Sequence, residues 1–436
     1  MKKVLCLVLV LAMCTTMFAG CKKEEKPNDS SSGNTSVTTE AKKVKWWYYH
    51  KGTEGEALEK TIAEYNASQN EYKVEGFSVP DKQKYIVSMS SNESPDLIGL
   101  SNQDVITYQA NGLLEDLNKM AKDDNFDFTS IYDEQAMYAN SVDDVMYGMP
   151  FASVIIQMFY NKDLLKEIGE TEPPKTMEAL YEMAVKATKL DKDGNIDILG
   201  YPLFPLASTR QEGIYAFGGR WVDEETGKKV TADSQGVIDS LNMNLKYRNL
   251  YGIDKVQKFV ATGNTNRYTP QDIFFAGKQL FRFDGPWLAK NIKDNNPDIN
   301  FGVALIPGTQ ANPELQGSSR FETTSVAIPV GAKEKEGAFE FAKYISTEGA
   351  KNTLLGIGSL PANKNLYDDA ELLASNEAFP SFMEALKVGN GVQYPRLADS
   401  AKYTSLIEAA LDYVYNGTKT PEKALQDLQK EASALK

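Results

Sequence analysis

Short apolar runs alternate with amphipathic stretches along this chain from residue 44 onward. Residues 44–49 form an apolar, aromatic run bounded by polar residues, which predicts a buried strand. Thr53 is followed three residues later by Glu56, a capping-box pattern that predicts the start of a helix. Residues 72–79 and 96–100 are predicted to form the second and third strands. This order of strands and helices is typical of a parallel sheet covered on both faces, so an α/β fold is predicted.

The same rhythm continues through the rest of the chain. Residues 149–160 form a long extended run that is too apolar for a linker, and residues 279–283 predict another buried strand. Residues 326–329 predict a strand that leads into an amphipathic helix. Thr176 and Thr420 are each placed to cap the helix that follows them. We therefore expect strands and helices to alternate up to the end of the chain.

Residues 1–20 have the organisation of an export signal. Lys2 and Lys3 form a basic start, residues 4–18 are apolar, and Ala19 and Gly20 provide the small residues that precede a cleavage site. The apolar stretch is too short to span a bilayer comfortably as a helix. We therefore predict that residues 1–20 are removed from an exported protein.

Cys21 changes the kind of signal that is predicted. The segment from Phe18 to Cys21 resembles a bacterial lipobox, in which the cysteine becomes the lipidated first residue, although Phe18 stands where an aliphatic residue is usual. Ordinary secretory cleavage beside a spectator cysteine is the alternative. Residues 21–43 then form a lipidated, disordered tether, because they are polar and have little to bury. The predicted location is the outer face of the cytoplasmic membrane of a Gram-positive-type bacterium, with the lipid as the only membrane contact.

Composition narrows the possible functions. The chain has 47 Lys and Arg against 60 Asp and Glu, a formal net charge of −13, which argues against a nucleic-acid partner. The mature chain would keep only Cys21, so neither a disulfide framework nor a cysteine metal site is predicted, and no cofactor is expected. His50 is the only histidine, which removes the commonest general base from most catalytic triads. A surface-anchored glycosidase with paired carboxylates stays open as an alternative.

Aromatic residues stand beside polar ones at the predicted ends of strands. Residues 47–49 precede His50 at the end of the first strand, Trp221 lies in a glycine-rich loop, and Trp287 follows a later strand. A sugar presents flat C–H faces and a rim of hydroxyl groups, so a sugar site stacks aromatic rings on the faces and aims polar groups at the rim. In open α/β sheets such groups lie beyond the carboxyl ends of the strands. The set predicts a carbohydrate site, while packing is the alternative for each residue taken alone.

Several short motifs occur in a fixed order along the chain, and together they resemble the family 1 extracellular solute-binding proteins over about residues 44–436. Each motif alone is weak, and their order and intervals behind a lipobox carry the resemblance. The motifs are Ser-Pro-Asp-Leu-Ile at 94–98, Tyr-Gly-Met-Pro-Phe at 147–151 running on to 159–165, Pro-Lys-Thr at 174–176 with Glu178, Gly-Gly at 218–219 before Trp221, Phe-Ala-Gly-Lys at 275–278, and Gly-Pro-Trp at 285–287.

The resemblance implies a two-lobe, periplasmic-binding-protein-like α/β fold with the ligand cleft between lobes joined by hinge crossovers. Matching the crossovers gives a first lobe of about 44–150 plus 325–372 and a second lobe of 152–322 plus 373–436. Hinge closure around a small-molecule solute, a carbohydrate and most simply an oligosaccharide, is the implied mechanism. The partners are that solute and the membrane subunits of an ABC permease. A monomer without enzymatic activity is implied.

The resemblance also suggests which side chains contact the ligand. Candidates follow strands of the first lobe, lie at the crossovers, or face the cleft from the second lobe. For His50, a packing role at the end of the strand is an equal alternative. The candidates are His50, Lys51, Glu54, Asn102, Asp104, Phe151, Arg210, Trp221, Asp284, Trp287, Arg320 and Arg396, with no catalytic or metal-binding residue among them.

Two features leave the identity of the ligand open. Leu100 and Ser101 stand where the family's maltose-binding member has a tryptophan, which weakens the case for maltodextrin. Arginines are numerous for a neutral ligand, so an acidic sugar or another anion is an alternative, as is a peptide or a polyamine. A sensory receptor that signals through a membrane kinase would use the same cleft.

Overall fold

The computed structural model describes residues 40–91, 93–203, 210–397 and 399–435. The predicted signal, Cys21 and nearly all of the predicted tether lie outside these ranges. Residues 41–436 form one compact unit. In the part of the chain that is described, no helix is long and apolar enough to cross a membrane.

The described residues form strands that mostly follow the apolar runs of the sequence. The strands are β1 (Lys42–Tyr48), β2 (Tyr72–Ser78), β3 (Leu97–Ser101), β4 (Ser141–Val142), β5 (Val145–Met146), β6 (Met149–Val154), β7 (Gln157–Asn161), β8 (Lys189–Leu190), β9 (Ile196–Ile198), β10 (Phe281–Asp284), β11 (Phe301–Ala304), β12 (Ser319–Arg320), β13 (Glu322–Ala327), β14 (Leu360–Pro361) and β15 (Gly391–Val392).

Helices connect and cover these strands. They are α1 (Gly52–Ser68), α2 (Gln83–Met89), α3 (Asn102–Ala110), α4 (Leu117–Asp123), α5 (Phe128–Ile131), α6 (Glu134–Asn140), α7 (Lys162–Glu167), α8 (Met177–Ala187), α9 (Glu212–Ala216), α10 (Gln235–Tyr251), α11 (Ile253–Thr265), α12 (Trp287–Asn295), α13 (Lys335–Ser346), α14 (Ala350–Ile357), α15 (Ala370–Ser375), α16 (Phe379–Val388), α17 (Ser400–Tyr415) and α18 (Pro421–Ala432).

The first lobe is built on a six-stranded sheet with the order β14-β6-β13-β3-β1-β2. Strands β1, β2 and β3 are parallel, whereas β13 runs antiparallel to both β3 and β6. Trp46 on β1 is fully buried and meets the ring of Phe341 on α13 edge-on at 5.1 Å between centroids. The parallel strands bring the ends of β1 and β3 to one edge of the sheet, and the candidate site lies at this edge.

The second lobe contains a three-stranded antiparallel sheet with β7 between β10 and β11. Two of the crossings between the lobes are made by strands. Strand β6 in the large sheet is followed within three residues by β7 in the small one. Strand β12 pairs with β15 in a separate two-stranded sheet, and after Phe321 the chain continues as β13 in the large sheet. These crossings are the geometry that a hinge requires.

Two predicted helix caps are confirmed and one predicted helix start is wrong. The hydroxyl of Thr176 accepts a hydrogen bond from the backbone N–H of Ala179, and Thr420 accepts one from Lys423. The capping box at Thr53 is absent, because α1 begins after Lys51. The chain turns into the helix at Gly52, whose φ of 54° glycine adopts readily.

Candidate functional site

Two neighbouring cavities lie where the two lobes meet. The first, which we call the α3 cavity, has a volume of about 220 Å³ and includes Gln103 of helix α3. The second, the α6 cavity, has a volume of about 290 Å³ and includes residues of helix α6. Trp221, Gln393 and Tyr394 line both cavities. These three side chains therefore form a shared wall between two adjoining spaces.

The α3 cavity opens at the carboxyl end of strand β3, which is where ligands bind in open α/β sheets. Strand β3 ends at Ser101, and Gln103 lies in the first turn of the helix that follows. The backbone N–H and the hydroxyl of Ser101 both donate to a carboxylate oxygen of Asp104, at 3.0 and 2.8 Å. This capping box fixes the direction of α3, so Gln103 faces the cavity while Asp104 is engaged in the cap.

A second polar group follows the end of β1. The ring of Tyr49 stacks on the imidazole of His50 with 4.3 Å between centroids, and the ammonium of Lys82 lies 5.1 Å from the Tyr49 ring. Lys82 also forms an ion pair of 2.5 Å with Asp104. Burial, aided by the charge of Lys82, lowers the pKa of His50 to about 4, so the imidazole is neutral at physiological pH. Burial raises the pKa of Glu54, the neighbouring carboxyl at the start of α1.

The return crossover carries a compact cluster of charged groups. Arg320 forms an ion pair of 2.5 Å with Glu322, and its guanidinium lies 5.5 Å from the centre of the Tyr394 ring. The hydroxyl of Tyr394 donates to the same carboxylate of Glu322 at 2.5 Å. The backbone N–H of Arg320 donates to the buried carboxyl of Glu212 at 2.9 Å. The cluster joins β12, β13 and α9 beside the α3 cavity.

Glu212 gives the protein a pH-dependent stability. Burial raises its pKa from the ordinary 4.5 to about 7, despite the opposing charge of Arg320. Between these two values the folded protein holds a proton that the unfolded chain has released, so this stabilising contribution is complete below pH 4.5 and is lost as the pH rises through 7. In the parent protein this contribution makes the free energy of unfolding decrease between pH 4.5 and 7, and we expect a smaller decrease in Glu212→Gln. Urea unfolding at several pH values in this range would measure the difference. The exposed Glu371→Gln is the control, and an unchanged pH slope in Glu212→Gln would contradict the prediction.

Polar groups of the second lobe face the same cavity. Arg210 pairs with the carboxylates of Glu408 and Asp412, both on α17. The amide of Gln211 donates to Glu408 at 3.1 Å. The hydroxyl of Tyr215 donates in turn to Gln211 at 3.2 Å. Because Gln211, Tyr215 and Glu408 all line the α3 cavity, this chain of contacts sets the polar rim of its second-lobe side.

Trp221 is held by a tightly packed glycine loop. A side chain at Gly219 would meet the backbone nitrogen of Val237 at 2.9 Å, and Gly218 has a φ of 74°. The hydroxyl of Tyr403 donates to the carbonyl of Trp221 at 2.5 Å. Trp221 is only 4% exposed, so one part of its ring packs in the core while another part reaches the cavities. The loop therefore fixes the indole in place.

Asp284 and Trp287 lie in a buried network and are not among the residues that line either cavity. Arg282 contacts Asp272 at 2.7 Å and Asp284 at 2.9 Å, and all three side chains are fully buried. The indole N–H of Trp287 donates to the hydroxyl of Tyr268 at 2.5 Å, and that hydroxyl donates to Asp284 at 2.8 Å. The network ties the start of α12 to the end of β10.

The remaining predicted residues have varied surroundings. Phe151 is 1% exposed and belongs to the main hydrophobic core. Asn102 is buried and accepts the backbone N–H of Thr323 at 3.2 Å. Lys51 is exposed just before α1. Arg396 donates to backbone carbonyls at the end of α6, as described below.

The structure brings Trp221 and Arg320 into the α3 cavity, and Arg210 lies next to it through Glu408. His50, Glu54 and Asp104 lie at the strand ends of the first lobe. Sequence reasoning missed some of the residues that line the cavity, although Gln103 stands between two predicted residues and Tyr394 is an aromatic two positions before Arg396. The missed residues are Gln103, Gln211, Tyr215, Gln393, Tyr394, Pro395, Thr404, Ile407 and Glu408.

Known proteins share this architecture. A family model described as bacterial extracellular solute-binding protein matches residues 60–381. The galactooligosaccharide-binding protein of Bacillus subtilis (strain 168) is 24% identical over 339 residues, covering 78% of this chain and 76% of the relative. The sn-glycerol-3-phosphate-binding periplasmic protein of Yersinia pseudotuberculosis serotype I is 22% identical over 407 residues, covering 88% and 90%. The mannotriose-bound structure of CpMnBP1 is 23% identical, with a TM-score of 0.73 over 90% of this chain and 100% of that chain.

These similarities agree with the two-lobe fold. Proteins of this family are the substrate-binding components of ABC importers rather than enzymes, and they act outside the cytoplasmic membrane, at the cell surface or in the periplasm. The match covers most of the chain and includes β3, the hinge crossings and the glycine loop of Trp221. The chain therefore belongs to the bacterial extracellular solute-binding proteins.

Proposed function

We propose that this protein captures an oligosaccharide in the α3 cavity and delivers it to the membrane subunits of an ABC importer. The observation that carries the proposal is the composition of the cavity wall. Three aromatic side chains, Trp221, Tyr215 and Tyr394, stand beside the amides of Gln103 and other glutamines. Aromatic rings cover the C–H faces of sugars, and amides both donate to and accept from hydroxyl groups.

Capture would proceed by rotation of the two lobes about the crossings at β6–β7 and β12–β13. We propose lobe bounds of about 44–150 with 325–372 and 152–322 with 373–436, although the pairing of β6 with β13 in the large sheet extends past these bounds to Val154 and Glu322. Gln103 approaches the ligand from the first lobe, and the glycine loop of Trp221 from the second. A ligand that contacts both lobes favours the closed form by its differential affinity for that form. Contacts of the ligand with the other predicted residues of the first lobe, the core and the Trp287 network stay predictions. These residues are His50, Lys51, Glu54, Asn102, Asp104, Phe151, Asp284 and Trp287.

The front of the chain supports attachment to the cell surface. We propose that Cys21 is lipidated after removal of residues 1–20, and that the chain from Cys21 up to strand β1 forms the tether of a monomeric receptor on a Gram-positive-type cell. Lys42 and Lys43, the last two residues of the predicted 21–43 tether, belong to β1. The basic start, the apolar stretch and the small residues before the cysteine support this assignment. Mass spectrometry of the protein from membranes would detect the acyl groups, and an unmodified Cys21 would contradict the anchor.

Binding of sugars can be tested by thermal shift. A ligand that binds only the native state raises the melting temperature of the protein. At a ligand concentration one hundred times the Kd, the free energy of unfolding increases by about 2.7 kcal/mol. A panel of galacto-, malto-, manno- and chito-oligosaccharides is expected to contain at least one such ligand. A shift with peptides or polyamines alone would contradict the proposal. Sustained release of reducing ends from a bound oligosaccharide would instead support the glycosidase alternative.

Arg396 connects the two lobes and is expected to influence their relative orientation. Its guanidinium donates to the carbonyl oxygen of Ser141 at 2.7 Å and to that of Tyr138, and it lies 3.6 Å from the centre of the Tyr138 ring. Its backbone N–H donates at 2.8 Å to the carbonyl oxygen of Gly227, in the loop after Trp221. Arg396 thus holds the end of α6 in the first lobe against a loop of the second.

We expect Arg396→Met to shift the distribution of distances between the lobes away from the one in this structure, because charged hydrogen bonds contribute about 1.5–3 kcal/mol each. Spin labels on exposed sites of α1 and α18 would report that distribution. The control is Lys387→Met, which removes an exposed ion pair to Asp368. Identical distributions in Arg396→Met and the parent protein would contradict the prediction.

A further inference from the structure

The arginines beside the α3 cavity are all engaged by carboxylates of the protein itself. Arg320 pairs with Glu322 at 2.5 Å, and Arg210 pairs with both Glu408 and Asp412. Arg220, at the border of the α6 cavity, pairs with Glu224 at 2.5 Å. An arginine that binds an anionic ligand directs its fork of N–H donors at that ligand. Here Arg210 directs both of its terminal nitrogens at carboxylates, and Arg320 directs its Nε at Glu322. Arg220 directs its Nε at Glu224, and its Nη1 donates to the backbone carbonyls of Tyr215 and Gly219.

The ion-pair clusters beside the cavity carry more negative than positive groups. Arg210 and Arg320 are opposed by the carboxylates of Glu322, Glu408 and Asp412, even when the partly protonated Glu212 is left aside. Glu408 lines the cavity itself. An anionic ligand would have to displace one of these carboxylates or lie beside it. Both arrangements are unfavourable, because the carboxylates are held at short distance within a partly buried site.

The surroundings favour hydroxyl groups instead. Carboxylates only accept hydrogen bonds, whereas a sugar hydroxyl both donates and accepts. The amides of Gln103, Gln211 and Gln393 add donors and acceptors without charge. The whole chain carries a formal net charge of −13, which also slows the approach of anions over longer distances. Each of these features points to a ligand without a negative charge.

We infer that the α3 cavity selects uncharged sugars and excludes sugars that carry a carboxylate or phosphate group, and that Glu322 and Glu408 set this selectivity. The inference rests on the proposed function and makes its substrate class specific. Similarity to known proteins leaves this choice open, since one relative of the chain is named as binding sn-glycerol 3-phosphate. The arginines of the cavity therefore organise acceptors for hydroxyl groups and do not bind an anion.

The test uses a matched pair of ligands with the mature protein. The neutral oligosaccharide that gives the largest thermal shift is compared with the same oligosaccharide oxidised to a uronate at its terminal C6, and glycerol 3-phosphate is a third probe. Calorimetry is expected to give an affinity for the neutral sugar that is higher by on the order of 100-fold, as like-charge contacts cost several kcal/mol. Equal affinities, or binding of the charged probes alone, would overturn the inference while leaving a binding function in place. If no probe binds, the proposed function fails and the inference fails with it.

Two variants test the assigned residues. Glu408→Gln and Glu322→Gln each remove one carboxylate while keeping a similar shape, so the preference for the neutral sugar should fall by about tenfold or more in each. The control is Asp368→Asn, which removes one negative charge from an exposed ion pair far from the cavity in the sequence and outside its lining. If the control lowers the preference as much as the two variants do, net charge and not these residues sets the selectivity. Having two variants keeps the test decisive if one of them folds poorly.

Discussion

Replacing Arg282 by methionine is expected to lower the free energy of unfolding by about 3–5 kcal/mol, the cost of leaving buried charges without their partner. Arg282 contacts Asp272 at 2.7 and 2.9 Å and Asp284 at 2.9 Å, and none of the three side chains has any exposed surface. Removal of the guanidinium leaves the buried carboxylate of Asp272 without Arg282, whereas Asp284 keeps Arg267 at 3.3 Å. Asp272 also accepts the backbone N–H groups of Tyr268 and Phe274, both at 2.9 Å, so it cannot rotate toward solvent without losing those bonds.

Urea unfolding monitored by tryptophan fluorescence would measure this loss. The control is Lys290→Met on α12, which breaks an exposed ion pair to Asp294 and should cost less than about 1 kcal/mol. The double variant Asp272→Asn/Arg282→Met should recover part of the loss, because it removes the charge of Asp272 that is left without Arg282. If the free energy of unfolding of Arg282→Met lies within about 1 kcal/mol of that of the parent protein, the ion pairs of Arg282 do not stabilise the fold.

The pattern of apolar residues predicted most of the fold because the inner strands are covered on both faces. Residues 97–100 are apolar without alternation, and β3 lies between β1 and β13 in the large sheet. The long apolar run at 149–160 is in fact two strands, β6 and β7, that belong to different sheets. The residues between them are also buried, so hydropathy alone could not show the break.

Some ion pairs of the protein could be predicted from the sequence and others could not. Arg282 and Asp284 lie two residues apart on a strand, a spacing that places both side chains on one face. Arg320 and Glu322 have the same spacing in an extended segment, and they also pair. The spacing therefore indicates that these arginines are satisfied internally. The pairing of Arg210 with Glu408 joins positions 198 residues apart, and only the packing of α17 against the second lobe brings them together.

The residues that line the cavity likewise include some that the sequence predicted and others that it could not predict. The glycine loop and strand-end position of Trp221 marked it as a candidate from the sequence, and the residue does line the α3 cavity. Tyr394 could not be placed beside it, because that depends on the pairing of β15 with β12. The Gly-Pro-Trp turn marked Trp287 equally well. In the structure its indole N–H is bound to Tyr268, an interaction that no local pattern predicts.

Trp221→Ala is expected to weaken binding of the oligosaccharide by about 10- to 100-fold, equivalent to about 1.4–2.8 kcal/mol. The ring forms part of the wall shared by both cavities, and its removal takes away a flat apolar surface that the glycine loop holds in a fixed orientation. Trp221→Phe keeps a smaller ring and should lose less affinity. Calorimetry with the best neutral oligosaccharide would measure both variants, at a temperature where each is folded.

Tyr413→Ala is the matched control, because it removes an aromatic ring that is 45% exposed on α17 and lines neither cavity. Part of the Trp221 ring is in the core, so Trp221→Ala should also melt at a lower temperature than the parent protein. The two effects are separable, since Trp221→Phe should recover most of the melting temperature but only part of the affinity. A Trp221→Ala variant that binds the sugar as tightly as Tyr413→Ala would place the ligand away from this wall and contradict the proposed site.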